Sequence, residues 1–422
     1  MSKLNLGKDL YIKGRIGWRG LRKNEYLEES EYKIINATAL MDGFIDWNNC
    51  GFISKERYEE SDEIMLKEND ILISKDGTLG KIGYVKNMRI PCTVASGIFV
   101  IRNIKPKVID FDYLYHILKS NIFKDFIRRN KAEGSTINHL YQRDLVNFEI
   151  ELPTINEQNK IARVLNAIDN IIANNNKIIS ELENMAKTIY DYWFLQFEFP
   201  NEKGKPYKSL GGKMIWNEEL KKKIPKEWEC RKIVEIEKNI VTGKTPSTKN
   251  EGNFNGDIPF ITIDDIRQGL YVSNTVRTLS EKGANSQIKK YIPKDSICVT
   301  CIATVGLVGI TTKKSQTNQQ INSIVCENKN NLYYLVNAIK DYFKYSSGAK
   351  SGNIFDNMNK EDFATIKLIY PTESVLEKYK RTVEPIYYKI KNSIIENKEL
   401  IALKDYLLPL LMNGQVEIEN KN

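Results

Sequence analysis

The feature of this sequence that most constrains its fold is an internal repeat. Residues 134–153 align without a gap on residues 352–371, with matched Gly, Asp and Pro residues and matched apolar positions. Farther upstream, residues 78–83 (TLGKIG) resemble residues 304–309 (TVGLVG), and each stretch follows a short apolar run. Self-similarity of this kind indicates repeated structural units. We therefore predict a tandem duplication.

Each half has the same predicted plan. Short strand-like runs separated by Gly, Asn and Pro come first, and a strongly helical stretch follows the matched proline. We expect an α+β protein with two β-rich domains separated by long helices. The predicted segments are a first β-rich domain (1–153), a central helix (154–199), a second β-rich domain (200–371) and a C-terminal helix (372–422).

The helical stretches carry apolar residues at alternating spacings of four and three, the heptad pattern of coiled coils. The first seam is Ile161, Leu165, Ile168, Ile172, Asn175, Ile179, Leu182, Ala186, Ile189 and Trp193, and the second is Val383, Ile386, Ile390, Ile394, Asn397 and Ile401. A buried seam asparagine costs stability but fixes helix register. We therefore expect the two helices to pair, with Asn175 and Asn397 setting the register.

An alternative is that each stripe packs on its own domain, as most amphipathic helices do. Pro385 predicts a kink or a late start of the second helix.

The basic charge is concentrated in one segment. The formal net charge is +9, and residues 200–371 carry 27 basic and 18 acidic side chains, which gives 27 − 18 = +9. The sequence has neither the apolar start of a signal peptide nor an apolar run of the ~20 residues that span a membrane. Six cysteines do not make a disulfide scaffold in a chain of 422 residues. We expect a cytoplasmic protein without membrane contact.

The sequence offers little material for catalysis. It has two histidines, His116 and His139, and a single C-x-x-C, Cys298 to Cys301, where a zinc site would need a second pair. It has no G-x-G, no complete phosphate-binding loop and no Pro-Pro pair of the kind found in methyltransferases that act on base amino groups. We expect no catalytic residue, no metal and no cofactor bound by this chain, so an enzyme is the weaker hypothesis.

Several segments then resemble a known family. The first half contains RIGWRGLRKNEYLEES (15–30) and LKENDILISKDGTLGKIGYV (66–85), the second contains TGKTPSTKNEGNFNGDIPFITIDDI (242–266), and the helices contain LPTINEQNKIARVLNAID and LKDYLLPLLMNGQV. In order and spacing, these resemble the specificity subunits of type I restriction-modification systems over nearly the whole chain. The second helix departs from the pattern, because it reads PTESVLEKYK where the first has the Glu157-Gln158 pair.

The resemblance implies a non-catalytic DNA-binding subunit with pseudo-twofold duplication. Each β-rich domain would be a target-recognition domain that reads one half of a bipartite, asymmetric site in double-stranded DNA. The antiparallel helix pair would set the spacer and dock two methyltransferase subunits that carry S-adenosylmethionine, and motor-nuclease subunits would join for restriction. Alternatives are the same fold serving a fused methyltransferase-nuclease, or a coiled-coil adaptor that does not read DNA.

Base reading requires Arg or Lys for guanine and Asn or Gln for adenine, while Ser, Thr and Lys bind phosphates. In the first domain the candidates are Lys13, Arg15, Trp18, Arg19, Arg22 and Lys23, with the loop residues Ser74, Lys75, Thr78 and Lys81. In the second they are Lys244, Thr245, Ser247, Thr248, Lys249, Asn318, Gln319 and Gln320. The alternative for each is a solvated loop or, for Asn318 and its neighbours, a turn that satisfies its own backbone.

Overall fold

The structure is a computed structural model that describes residues 2–15, 21–41, 43–130, 139–349, 357–416 and 418. The chain forms two compact units: unit 1 comprises residues 1–172 and 399–422, and unit 2 comprises residues 173–398. Over the described ranges, no helix is both long and apolar enough to cross a membrane.

Unit 1 has nine strands among its described residues: β1 (Ser2–Asn5), β2 (Leu10–Gly14), β3 (Tyr32–Ile35), β4 (Gly51–Ile53), β5 (Ile71–Ser74), β6 (Ile82–Tyr84), β7 (Cys92–Val94), β8 (Ile98–Asn103) and β9 (Glu149–Leu152). Its helices are α1 (Leu6–Asp9), α2 (Lys55–Glu59), α3 (Phe111–Lys119), α4 (Asn121–Asn130), α5 (Gln142–Leu145) and the first half of α6 (Ile155–Tyr190).

In unit 2 the strands are β10 (Met214–Asn217), β11 (Lys222–Pro225), β12 (Glu229–Lys232), β13 (Ile240–Thr242), β14 (Phe254–Ile261), β15 (Tyr271–Val272), β16 (Arg277–Leu279), β17 (Ser296–Thr300), β18 (Val308–Thr311), β19 (Gln316–Thr317), β20 (Ile321–Val325) and β21 (Lys367–Tyr370). The second half of α6 continues into a π-helical turn, Asp191–Leu195. The other helices are α7 (Ile233–Ile236), α8 (Ile263–Arg267), α9 (Glu281–Asn285), α10 (Leu332–Ala349), α11 (Lys360–Ala364) and α12 (Glu373–Met412), whose last turns belong to unit 1.

The duplication extends to sheet topology. The central sheet has the order β2-β8-β5-β6 in unit 1 and β13-β20-β17-β18-β15 in unit 2, so β15 is an addition. Each unit also has a three-stranded sheet with an equivalent strand order, β4-β3-β7 in unit 1 and β16-β14-β19 in unit 2. In each of these small sheets one strand pair is parallel, β3 with β7 and β14 with β19. The two units therefore share one backbone plan despite their different sequences.

Helix α6 starts with a capping box that its sequence encodes. The backbone N–H of Thr154 donates to Glu157 Oε2 at 2.8 Å, and Glu157 N–H donates to Thr154 Oγ1 at 3.3 Å. The next residue, Gln158, is fully buried and bonds to the domain, because its Nε2 donates to the carbonyl of Val108 and its Oε1 accepts from the N–H of Asp110. The equivalent residue at the start of α12, Leu376, is buried in an apolar cluster instead.

The two long helices run antiparallel within each unit. In unit 2, Asn175 Nδ2 donates to Asn397 Oδ1 at 3.0 Å, and the rings of Trp193 and Tyr379 lie 5.6 Å apart. In unit 1, Lys404 Nζ lies 2.7 Å from Asp169 Oδ2. Earlier residues of α6 thus contact later residues of α12.

One position of the predicted second seam is wrong. Ile401 is 49% exposed, and the buried contacts of α12 in unit 1 come from Leu408 and Leu411. Of the two effects predicted for Pro385, a kink or a late start, the late start does not occur, because α12 begins at Glu373 and continues through the proline to Met412.

The β-rich part of each unit packs on the helices through a hydrophobic cluster, and the polar and aromatic contacts added to it differ between the units. In unit 1, buried His116 on α3 donates from Nε2 to Asn166 Oδ1 on α6 at 2.8 Å, and Asn166 Nδ2 donates to Asp112 at 3.1 Å. In unit 2, the ring of Phe194 lies 4.9 Å from that of Tyr334 on α10, and Asn337 Nδ2 on α10 donates to the hydroxyl of Tyr387 on α12 at 2.7 Å.

Candidate nucleic-acid interface

The loop between β5 and β6 is built in the same way as the loop between β17 and β18. In unit 1 the N–H of Gly80 donates to the carbonyl of Ser74 at 2.9 Å, and the N–H of Lys81 donates to Ser74 Oγ at 2.9 Å. In unit 2 Gly306 and Leu307 make the same two bonds to Thr300, at 2.8 and 3.0 Å. Ser74, a predicted phosphate ligand, is therefore a buried loop-forming residue.

Two positions in each loop have positive φ. Gly77 and Gly80 have φ of 69° and 75°, and their counterparts Ala303 and Gly306 have φ of 64° and 90°. At the second position the loop lies against a helix, because a Cβ on Gly80 would meet Ile127 at 2.5 Å and a Cβ on Gly306 would meet Phe343 at 2.7 Å. Positive φ favours glycine at this position in both units, and the close approach adds to this preference most strongly at Gly306.

The side chains around the unit 1 loop are charged. His139 Nδ1 lies 2.7 Å from Asp76 Oδ1, and the ammonium of Lys75 lies 5.0 Å from the centre of the Phe99 ring. Burial lowers the pKa of Lys75, and the Asp76 carboxylate opposes this shift. Thr78 is exposed and Lys81 half-buried, so both can reach a ligand. The loop can therefore donate hydrogen bonds from several side chains.

The unit 2 loop is apolar at the matching positions. Cys301 and Ile302 replace Lys75 and Asp76, and Asn357 replaces His139 in the bridge to the loop. Cys298 and Cys301 are buried in different hydrophobic clusters, which places them on opposite sides of the sheet. Across the described parts of the chain there is no group of three or more His, Cys, Asp and Glu side chains that could hold a metal ion.

The first predicted basic patch is only partly exposed. Lys13, Arg22 and Lys23 are exposed, while Trp18 and Arg19 lie outside the described residues. Arg15 is 1% exposed, and its guanidinium donates to the carbonyl of Val94 at 3.0 Å and to Thr93 Oγ1 at 3.3 Å. The prediction that Arg15 contacts DNA is therefore contradicted: its donors are bonded to protein, and it stabilises the interior of the unit.

The predicted patches of unit 2 lie next to each other. Thr245 Oγ1 donates to Gln319 Oε1 at 2.7 Å, and the N–H of Lys244 donates to the carbonyl of Thr317 at 2.9 Å. Gly243 permits this approach, since a Cβ there would lie 2.1 Å from the carbonyl oxygen of Asn318. Four neighbouring side chains are exposed on this surface: Lys244, Ser247, Thr248 and Lys249.

The three predicted adenine-reading residues, Asn318, Gln319 and Gln320, differ in exposure. Gln319 is exposed and Gln320 is half-buried. Asn318 is 9% exposed, and its Nδ2 donates to Gln320 Oε1 while its Oδ1 accepts from the N–H of Gln320. Asn318 thus forms the self-satisfied turn that was the alternative, and Gln319 is the better placed of the three to read a base.

The sequence predictions left out a basic groove in unit 2. Its volume is about 590 Å³, and its lining includes the cations Arg267, Lys340 and Lys344 and the acidic Glu183. A signal was available, because residues 121–128 (NIFKDFIR) align without a gap on residues 337–344 (NAIKDYFK). This second repeat places Lys124 and Arg128 at the positions of Lys340 and Lys344.

Comparison with known proteins agrees with this architecture. The family model described as the type I restriction modification DNA specificity domain matches twice, at residues 17–184 and 225–402. The chain therefore belongs to this family, and the resemblance noted in its sequence is confirmed. The predicted α+β fold class, with two β-rich domains and two long antiparallel helices, is also confirmed.

Individual relatives cover most of the chain. The specificity subunit of the type I restriction enzyme HindI from Haemophilus influenzae is 28% identical over 405 residues, covering 83% of this chain and 87% of that protein. The MjaIX specificity subunit from Methanocaldococcus jannaschii is 28% identical over 389 residues, covering 89% of this chain and 86% of that protein. The crystal structure of a type I S subunit from M. genitalium has the same fold, with a TM-score of 0.53 at 17% identity. The match covers 99% of this chain and 96% of that one.

Proposed function

We propose that this chain is the DNA specificity subunit of a type I restriction-modification system. The observation that carries the proposal is the double match to the specificity-domain family, at residues 17–184 and 225–402. Each copy would read one half of a bipartite site. The two loops share a backbone but differ in their exposed side chains, and this supports the assignment. A common backbone would hold both loops in the same way against DNA, while the different side chains would select different bases.

The proposal includes partners. The antiparallel helices would set the distance between the two half-sites and dock two methyltransferase subunits, which would bind S-adenosylmethionine and modify adenines. Motor-nuclease subunits would add restriction. The chain itself would bind double-stranded DNA in the cytoplasm, without catalytic residues or a cofactor of its own. One subunit with two different readers would position two identical enzymes on an asymmetric sequence.

The test is to map methylated adenines in the source genome with and without this gene. The expected result is that methylation disappears at one bipartite motif and remains unchanged elsewhere. Identical methylation in the two strains, together with salt-dependent DNA binding that shows no sequence preference, would favour an adaptor that does not read DNA. Methylation by the isolated chain with added S-adenosylmethionine would indicate an enzyme instead.

A further inference from the structure

The basic groove of unit 2 lies between helix α8, helix α10 and the loop that follows β17. Three cations, Arg267, Lys340 and Lys344, and one carboxylate, Glu183, line it, and its walls include apolar residues such as Leu270 and Leu307. The charges give the groove an excess of two positive charges, 3 − 1 = 2. Such a surface favours an anionic ligand.

The cations have defined positions. Lys340 and Lys344 are one helical turn apart on α10, so they share a face, and both are exposed. Arg267 pairs with Asp264 at 2.9 Å and donates from its second nitrogen to Thr304 Oγ1 at 2.6 Å, which ties it to the loop. The helix supplies two exposed lysine side chains, and the arginine holds the loop beside them.

Unit 1 repeats this arrangement. Lys124 and Arg128 are exposed on α4, one turn apart, and Arg128 pairs with Asp125 at 2.6 Å. Ile127, between them, lies against Gly80 of the loop, in the same way that Phe343 lies against Gly306. Both units therefore place two cations of one helix face beside the same loop.

The two loops differ in their exposed side chains, whereas the helix cations are the same in charge and spacing. Two domains that recognise different half-sites would still contact the same phosphate backbone of the DNA. Lys and Arg bind this backbone without regard to sequence. We propose, on the basis of the proposed function, that Lys340 and Lys344 bind backbone phosphates of the second half-site and that Lys124 and Arg128 bind those of the first.

The experiment measures binding of the full chain, co-purified with its methyltransferase partner, to cognate and scrambled duplexes at several salt concentrations. The variant Lys340→Gln/Lys344→Gln should make the slope of log K against log[salt] less steep by about two units, because each lost phosphate contact removes about one. Affinity should fall by the same factor on both duplexes, and the methylated motif should not change. Lys124→Gln/Arg128→Gln should do the same.

Two control variants separate the groove from overall charge. Lys203→Gln/Lys205→Gln removes two exposed charges of unit 2 outside the groove, and it should change the slope by less than one unit. Lys340→Arg/Lys344→Arg keeps both charges and should retain the slope of the original protein.

Three outcomes would overturn the phosphate assignment. They are an unchanged slope in the double glutamine variant, a loss of affinity confined to the cognate duplex, and saturable binding of dAMP that the variant abolishes, which would assign the groove to a free nucleotide. Failure of the proposed function would look different, because the original protein itself would then show no preference for any bipartite duplex.

Discussion

The loops after β5 and β17 have the same backbone conformation but differ in the charge of their side chains. In both loops the same two hydrogen bonds return to the last residue of the preceding strand, Ser74 or Thr300, and a glycine lies against a helix. The side chains next to these fixed atoms are charged in unit 1 and apolar in unit 2. The hydrogen-bonded half of the loop therefore has the same shape in both units, while the outer half differs in charge.

Replacing the loop glycine that lies against a helix should reduce stability more than any other change considered below. In Gly306→Ala the new Cβ would lie 2.7 Å from Phe343 Cβ, an atom that side-chain rotation does not move, whereas in Gly80→Ala it would meet the flexible end of Ile127. With positive φ costing ~1–2 kcal/mol and overpacking ~1–3 kcal/mol, Gly306→Ala should lower the free energy of unfolding by about 3 kcal/mol and Gly80→Ala by less. Urea unfolding measures both.

Gly77→Ala is the matched control. Its φ of 69° is close to the 64° of Ala303, its counterpart, and nothing lies within 4 Å of the new Cβ. Gly77→Ala should lower the free energy of unfolding by only ~1–2 kcal/mol, the cost of a positive φ in a residue with a Cβ. Equal losses in Gly77→Ala and Gly306→Ala would show that packing against α10 does not constrain the loop.

The second prediction concerns pH, which should act on unit 1 through His116. Burial lowers the pKa of His116 to about 4, and the Lys404 ammonium acts in the same direction. The unfolded chain, with a His pKa of about 6.5, binds the proton more tightly, so stability is present above pH 6.5 and is lost as the pH falls toward 4. The loss should reach about 2 kcal/mol at pH 5.

Unfolding of the original protein and of His116→Gln at pH 7 and pH 5 measures this loss. The variant should lack the His116 contribution, so the difference between the two proteins should be smaller at pH 5. A difference that is the same at both pH values would contradict the assignment. Asn337→Ala is the control in unit 2, where Asn337 Nδ2 bonds to the hydroxyl of Tyr387 at 2.7 Å and no ionisation is involved.

The third prediction separates base reading from phosphate binding in unit 2. Gln319→Ala should cost ~1–3 kcal/mol on cognate DNA alone, because an exposed glutamine can form paired hydrogen bonds with adenine. Lys249→Ala should weaken binding to all sequences and reduce the salt slope by about one unit. Fluorescence anisotropy with cognate and scrambled duplexes distinguishes the two, and equal losses on both duplexes in Gln319→Ala would exclude base reading by this residue.

The Asp76 and His139 pair should contribute least to stability. Both side chains are more than a third exposed, so His139→Ala should change the free energy of unfolding by less than about 1 kcal/mol. Its effect should instead be on the first half-site, since the pair orients the charged loop. Sequencing of methylated motifs should show relaxed specificity in that half only, whereas Asn357→Ala should leave it intact.

The parts of this fold that were predictable from sequence depend on periodic patterns. The heptad spacing places Asn175 and Asn397 on facing helix surfaces, where they form a hydrogen bond. Residues whose environment comes from distant segments were not predictable. Arg15 lies in a basic stretch, yet Val94 and Thr93 supply its buried partners, 79 and 78 residues away. The repeat of residues 121–128 in residues 337–344 is visible in the sequence, but the position of its cations beside the loop depends on how the helix packs in three dimensions.

The aromatic contact of unit 2 and the hydrogen bonds of unit 1 should respond differently to temperature. Packing of Phe194 against Tyr334 is a hydrophobic contact, and hydrophobic stabilisation weakens on cooling. The hydrogen bonds from His116 to Asn166 and from Asn166 to Asp112 do not depend on the release of water from apolar surface. On cooling, the contact of Phe194 with Tyr334 should therefore weaken more than the hydrogen bonds of Asn166.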